Sequence, residues 1–178
     1  MERSLEIITE SDLRRLLELS RKDISEFFAR NSRYKKEYEN SELLVALCQG
    51  AALHYIDKKN GVKDFDIWYF YPQKQITLPY RRRGVVDFGV SKFGKRENMT
   101  GFAGRSVDVL MRSDASFNKG DPVACVQSYL TTAKTKTAKL LSQKAVIGLY
   151  PGSVFGKVLW NYSSNQPRNR TREKTRAG

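Results

Sequence analysis

A chain of 178 residues is long enough for one domain with a hydrophobic core and short for two of ordinary size. Lys and Arg number 32 against 19 acids, a formal net charge of +13, which fits a polyanionic partner such as nucleic acid, nucleotide or lipid headgroups and fits a solubilising surface equally well. Two cysteines in apolar contexts, Cys48 and Cys125, argue against a disulfide framework or a zinc site, and the absence of a long apolar run or a leader-like N-terminus leads us to expect a soluble, cytoplasmic protein with no membrane partner.

In chain order, "TESDLRRLLELS" opens with Ser/Asp capping candidates and sets Leu13, Leu16 and Leu17 on one helical face. "DISEFFARN" predicts a second helix, capped by Asp23, burying Ile24, Phe27 and Phe28 and stopping at Asn31. "RYKKEYEN" adds a polar helical turn. "ELLVALC" is an apolar run that suits a central strand, although periodicity alone also allows a buried helix. Gly50 ends it, and "AALHYIDKKNG" predicts a helix that stops at Asn60-Gly61. The aromatic and β-branched "KDFDIWYFYP" predicts a strand closed by Pro72.

A further strand is expected around Gln75 to Leu78, then a basic triplet, Arg81, Arg82 and Arg83, and a loop punctuated by glycines at 84, 89, 94, 101 and 104. "RSVDVLMRS" alternates as a strand, with Asp108 on one face and Val107 and Val109 on the other. "DPVACVQSYL" starts a helix with Asp121 as cap and Pro122 at its first position, burying Val123, Val126 and Leu130. "AKTKTAKLLSQKAVIGLYP" reads as a second helix ending near Gly148 and Pro151, with Lys134, Lys136, Lys139 and Lys144 on its wet face. The last segment, 163–178, lacks apolar periodicity and reads as a disordered basic tail.

Three carboxylates inside strand-like segments need a physical reason. Residues two apart on a strand project to one side, so Asp64 and Asp66 stand together with Cβ atoms roughly 6 to 7 Å apart. Like charges so placed repel unless a cation lies between them, and hard divalent ions take carboxylates together with phosphates and water. With Asp108 on a neighbouring strand, the three acids form the cluster needed to hold metal ions against a triphosphate for in-line attack. Gly50, before a helix, lets backbone N–H groups approach that phosphate.

Gly50, then thirteen residues, then Asp64-Phe65-Asp66, then Asp108 in "SVDVL" resembles the nucleotidyltransferase superfamily that includes polymerase beta. The form "GAALHYIDKKNGVKDFD" is similar to its antibiotic-modifying and abortive-infection branches. The resemblance spans residues 43–110 and implies an α/β (α+β) domain, a mixed sheet flanked by N-terminal and C-terminal helices. On that reading, residues 1–40 are helices packed on a core unit of residues 41–160.

The resemblance further implies Mg²⁺ or Mn²⁺ held by Asp64, Asp66 and Asp108, with Asp108 able to act as general base. It implies an NTP, such as ATP, whose phosphates face Gly50 and Ala51, with Arg81, Arg82, Arg83 and Lys139 as candidate phosphate contacts, and an acceptor hydroxyl on RNA, a protein or a small alcohol. The chain departs from the family pattern at Gln49-Gly50-Ala51, where Gly-Gly or Gly-Ser is usual.

Plainer readings stand beside these. Asp64 reads also as a turn residue, Asp66 and Asp108 as strand charges facing water, and the arginine triplet as a solvated loop. His54, the one histidine, reads as a partly buried structural residue. "DFG" at Asp87 to Gly89 has no kinase-like companions. Two other classes use the same residues: a non-catalytic nucleic-acid-binding protein working through Arg81, Arg82, Arg83, the Phe93 to Arg96 loop and the tail, and a metal-dependent nuclease.

Overall fold

The computed structural model describes residues 3–79, 83–95, 100–118 and 120–165. It is a mixed α/β fold. Helices α1 (Glu10–Arg30) and α2 (Ser32–Tyr38) lead into strand β1 (Leu44–Cys48), helix α3 (Gln49–Asp57) and strand β2 (Phe65–Pro72). Strands β3 (Arg83–Asp87) and β4 (Ser106–Asp114) follow, then helices α4 (Pro122–Thr132) and α5 (Lys136–Ser142). Strands β5 (Ala145–Tyr150) and β6 (Val158–Asn161) and a short helix, α6 (Tyr162–Asn165), complete the described residues.

The six strands run in the order β3-β4-β2-β1-β5-β6. Only β2 and β4 pair in parallel; the other neighbours are antiparallel. Alternation along the central strands divides the core between the two faces. On one face Val45, Leu47, Phe65, Ile67, Tyr69, Val107 and Val109 pack with Leu13, Leu16, Ile24 and Phe28 of α1 and Ala51 and Ala52 of α3. On the other, Leu44, Ala46, Cys48, Trp68, Phe70 and Val146 meet Val126, Tyr129 and Leu130 of α4 and Ala138 and Leu141 of α5. No helix among the described residues is long and apolar enough to cross a membrane.

Four expectations change. The two N-terminal helices are one, α1, begun by a capping box in which Thr9 Oγ1 accepts from the Asp12 N–H while the Asp12 carboxylate accepts from Thr9. Asp23 is therefore no cap; it lies inside the helix with its carboxylate over Gly84, where a Cβ would stand 2.2 Å from Oδ2. The expected strand around Gln75 to Leu78 is irregular chain, tied down by Tyr38 Oη donating to the Ile76 carbonyl and by the Leu78 N–H donating to Ser113 Oγ at 3.3 Å.

Arg83 and Gly84, assigned to a loop, form the start of edge strand β3, because β4 offers them an antiparallel ladder. The segment "AVIGLY" is strand β5 rather than the end of a helix, since the far edge of β1 takes it as a partner. Helix α5 accordingly stops at Ser142. The expected tail begins inside α6, and its remainder, residues 166–178, lies outside the described residues, as do Arg81, Arg82 and Arg96.

Candidate functional site

Strand register assembles the carboxylates. Asp66 is the register partner of Asp108 on the parallel strand β4 and of Cys48 on the antiparallel strand β1. Register partners point to the same face, so Asp66 and Asp108 share the α4/α5 side of the sheet at the end where β2 begins. Asp64 lies just before β2, and Phe65 between the two acids turns to the opposite face. There Phe65 packs against Phe88 and Phe93 with ring centroids 5.0 and 5.3 Å away. This aromatic cluster, joined by the Phe88–Phe93 contact at 5.7 Å, fixes the strand register from behind. Phe93, the first residue of the Phe93 to Arg96 loop, is buried in it and so offers that loop no exposed ring.

Asp64 and Asp66 line a cavity of about 240 Å³ together with Gln49, Gly50 and Ala51 from the start of α3. Three cations surround the carboxylates: Arg3, Lys63 and Lys144. Lys63 Nζ stands 3.9 Å from Asp64 Oδ2. Arg3 arrives through a pair of backbone hydrogen bonds between Ser4 and Val62, at 2.9 and 2.7 Å, and its Nη1 donates to the Asn60 carbonyl at 3.1 Å. Gly61, at φ +67°, allows that crossing, because a Cβ there would lie 2.7 Å from Arg3 Cβ. His54 closes the same corner: its Nδ1 accepts from the Gly61 N–H at 3.0 Å, so Nε2 carries the proton given to the Glu6 carbonyl at 3.1 Å. It is fully buried and structural.

The electrostatics follow from this crowding. Burial, then the charges of Asp64 and Asp108, push the Asp66 carboxyl up to about 7, against the opposing pull of Arg83 and Lys144. Asp108 is buried at 4 % exposure, and Arg83 donates to its Oδ2. Asp108 Oδ1 is buried with no hydrogen-bond partner. Burial and the neighbouring Asp66 charge push the Cys48 thiol well up, so it remains protonated.

The start of α3 departs from ordinary backbone. Gln49 sits at φ +61°, a left-handed conformation that glycine adopts without strain and other side chains adopt at a cost. Gly50 needs its lack of a side chain for no packing reason, because the nearest atom to an added Cβ is Arg3 Nη1 at 3.9 Å. A Cβ at Gly50 would instead occupy space beside the acids, which suits the close approach of a ligand to the backbone.

Of the sequence candidates, Asp64, Asp66, Gly50 and Ala51 share one cavity; Asp108 stands next to Asp66 in the sheet, paired with Arg83, but neither of these two lines the cavity. Lys139 does not line it: it is exposed in the last turn of α5, and the lysine that reaches the acids is Lys144, just before β5. Asp87 of "DFG" has a structural task. Its carboxylate accepts from the N–H groups of Gly89, Ala103 and Gly104 at 2.8, 2.7 and 2.9 Å, which holds it below the usual range although burial pushes the other way.

Among the described residues no three His, Cys, Asp or Glu side chains are gathered as a ready-made metal cage. The donors nonetheless suit Mg²⁺ or Mn²⁺, hard ions that take one or two protein carboxylates and complete their shell with phosphate and water. Asp64 and Asp66 supply that pair, and the unpartnered Asp108 oxygen lies beside them in register. Compared with protein-family models, curated proteins and solved structures, the chain matches none.

Proposed function

We propose that this chain is a Mg²⁺- or Mn²⁺-dependent nucleotidyltransferase, moving a nucleoside monophosphate from an NTP to an acceptor hydroxyl. The observation that carries the reading is the pairing of Asp66 with Asp108 on parallel neighbouring strands, beside Asp64, at a cavity whose rim is basic and whose floor is the start of a helix. A cavity that joins carboxylates to cations suits a ligand carrying phosphates and a divalent ion.

Asp64 and Asp66 would hold the ion, whose chemistry is to draw charge from the α-phosphate and the leaving group. Arg3, Lys63 and Lys144 meet the remaining phosphate charge, and Gly50 with Ala51 lets backbone N–H groups come close to it. The acceptor oxygen attacks the α-phosphorus, the bond from phosphorus to the bridging oxygen breaks, and pyrophosphate leaves with the electron pair. Asp108 Oδ1 takes the acceptor's proton, because Arg83 donates to the other oxygen and leaves this one free of a hydrogen bond.

The test is transfer of label from each α-labelled NTP in the presence of Mg²⁺, with release of pyrophosphate. Wild type should transfer from at least one NTP, and Asp64→Asn and Asp66→Asn should each lose at least about a hundredfold. Undiminished transfer in both variants would remove the acids from the reaction. Degradation of nucleic acid without any NTP would replace this reading with a nuclease.

A further inference from the structure

The cavity that holds the acids adjoins a larger groove of about 680 Å³, and Arg3 lines both. One wall is the extended segment of residues 3–7; the other is the turn after β3 that carries Lys92 and Lys95. Four cations line the groove, Arg3, Lys92, Lys95 and Arg105, against one carboxylate, Glu6. They differ in availability. Arg105 is buried and its Nε donates to the Phe93 carbonyl at 2.8 Å, so it shapes the wall. Lys92 Nζ holds Asp12 at 2.8 Å, one of the three donors an ammonium carries, and Lys95 is exposed.

Beside these charges the segment exposes two large aliphatic side chains, Leu5 at 65 % and Ile7 at 55 %. A groove with lysines along one wall, and with Arg3 beside an apolar shelf along the other, suits a ligand that alternates charge with flat apolar groups. A single nucleic-acid strand does so, with phosphates on its backbone and unstacked bases beside it.

We propose that this groove binds the phosphodiester backbone of a single-stranded nucleic acid and leads its terminal hydroxyl past Arg3 to the carboxylate cavity. The delivery of that hydroxyl rests on the nucleotidyltransferase reading; the binding does not, because it requires neither NTP nor metal.

The test follows the fluorescence anisotropy of labelled oligouridylate and oligothymidylate of about 12 nucleotides, with the full chain in EDTA, across a salt series. Three phosphate contacts, to Arg3, Lys92 and Lys95, give a slope of log affinity against log salt of about −2 for a single strand. The double variant Lys92→Gln, Lys95→Gln should weaken binding about tenfold and reduce the slope to about −0.7, and Lys95→Glu should weaken it more than Lys95→Gln. Tighter binding of the uridylate makes RNA the acceptor, and tighter binding of the thymidylate makes it DNA.

Unchanged binding in both the double variant and Lys95→Glu, a slope near zero, or displacement by polyglutamate as effective as by unlabelled oligonucleotide would overturn the proposal. The last result would assign the groove to an acidic protein instead. Oligonucleotide binding that obeys these expectations in a chain that binds no NTP would leave the groove standing and sink the transferase reading, so the two failures are distinguishable.

Discussion

Arg83 on β3 donates to one oxygen of Asp108 on β4 and leaves the other without a hydrogen-bond partner. The pair is uneven: the Arg83 side chain is 53 % exposed, the Asp108 side chain 5 %. The aspartate therefore bears most of the desolvation, and the arginine is what makes its charge tolerable in the sheet.

Removing the arginine should thus cost stability, because it takes from the buried Asp108 side chain the partner that stands against it. Arg83→Gln is expected to destabilise by about 1 to 2 kcal/mol at pH 8, the exposed guanidinium reducing the figure for a fully buried pair. In an Asp108→Asn background the same change should cost close to nothing. Denaturant unfolding of the four proteins of this cycle checks both statements.

The Asp66 carboxyl gives a pH dependence of the opposite kind from an ordinary ion pair. Its folded pKa of about 7 lies above the unfolded value near 3.9, so its contribution to stability is fully present below about pH 4 and is lost as pH rises through 7. Asp66→Asn should therefore be more stable than wild type at pH 8, by on the order of a few kcal/mol, with the advantage vanishing toward pH 4. Mg²⁺ should shift the wild-type transition to lower pH by favouring the carboxylate. Thermal unfolding against pH, with and without Mg²⁺, reads both effects.

The left-handed backbone at Gln49 sets which substitutions it tolerates. At φ +61° a β-branched residue is worse than glutamine and glycine is better. Gln49→Gly should match or exceed wild-type stability, within about 1 kcal/mol, because relieved strain offsets the added flexibility of the unfolded chain. Gln49→Val should lose about 1 to 3 kcal/mol. Equal melting temperatures for the two variants would contradict the left-handed backbone at this site.

Phe65 supports the acids from behind. Phe65→Ala should cost about 3 to 5 kcal/mol, because it empties the centre of the Phe65, Phe88 and Phe93 cluster. Phe65→Leu, which keeps most of the volume, should cost less. Chemical denaturation of both variants provides the comparison.

The candidate acids were legible because their signals are local. Alternation set Asp108 opposite Val107 and Val109, and the structure keeps that arrangement, whereas the strand expected to carry both Asp64 and Asp66 starts one residue later, at Phe65, and leaves Asp64 just before it. The helix break at Asp23 was misleading for a tertiary reason. Asp23 looks like a cap, but its carboxylate packs over Gly84, and three residues earlier Ser20 Oγ turns back to the Leu17 carbonyl at 2.9 Å and meets Tyr69 Oη at 3.0 Å, so the helix runs on. "AVIGLY" has no period that separates strand from buried helix, and only the free edge of β1 decides it.

The basic rim was legible only in part. Lys63 adjoins Asp64 in the sequence itself, whereas Arg3 and Lys144 come from distant segments and are placed by strand pairing rather than by a motif. Arg3 depends on the Ser4–Val62 bridge. Lys144 lies two residues before Val146, whose register partner is Cys48, and Cys48 in turn pairs with Asp66. Lys139, five residues earlier on α5, had equal claim in the sequence and none in the sheet.

If the acids and the basic rim form one nucleotide site, thermal unfolding of wild type and Asp64→Asn with each of the four NTPs, with and without Mg²⁺, will show it. A ligand bound only by the folded chain at a hundred times its dissociation constant stabilises by about 2.7 kcal/mol, a rise of roughly 5 to 10 °C for a chain of this length. That rise is expected for at least one NTP, only with Mg²⁺ present, and should be lost in Asp64→Asn. A melting temperature indifferent to every NTP with Mg²⁺, or a rise that the variant retains in full, would contradict it.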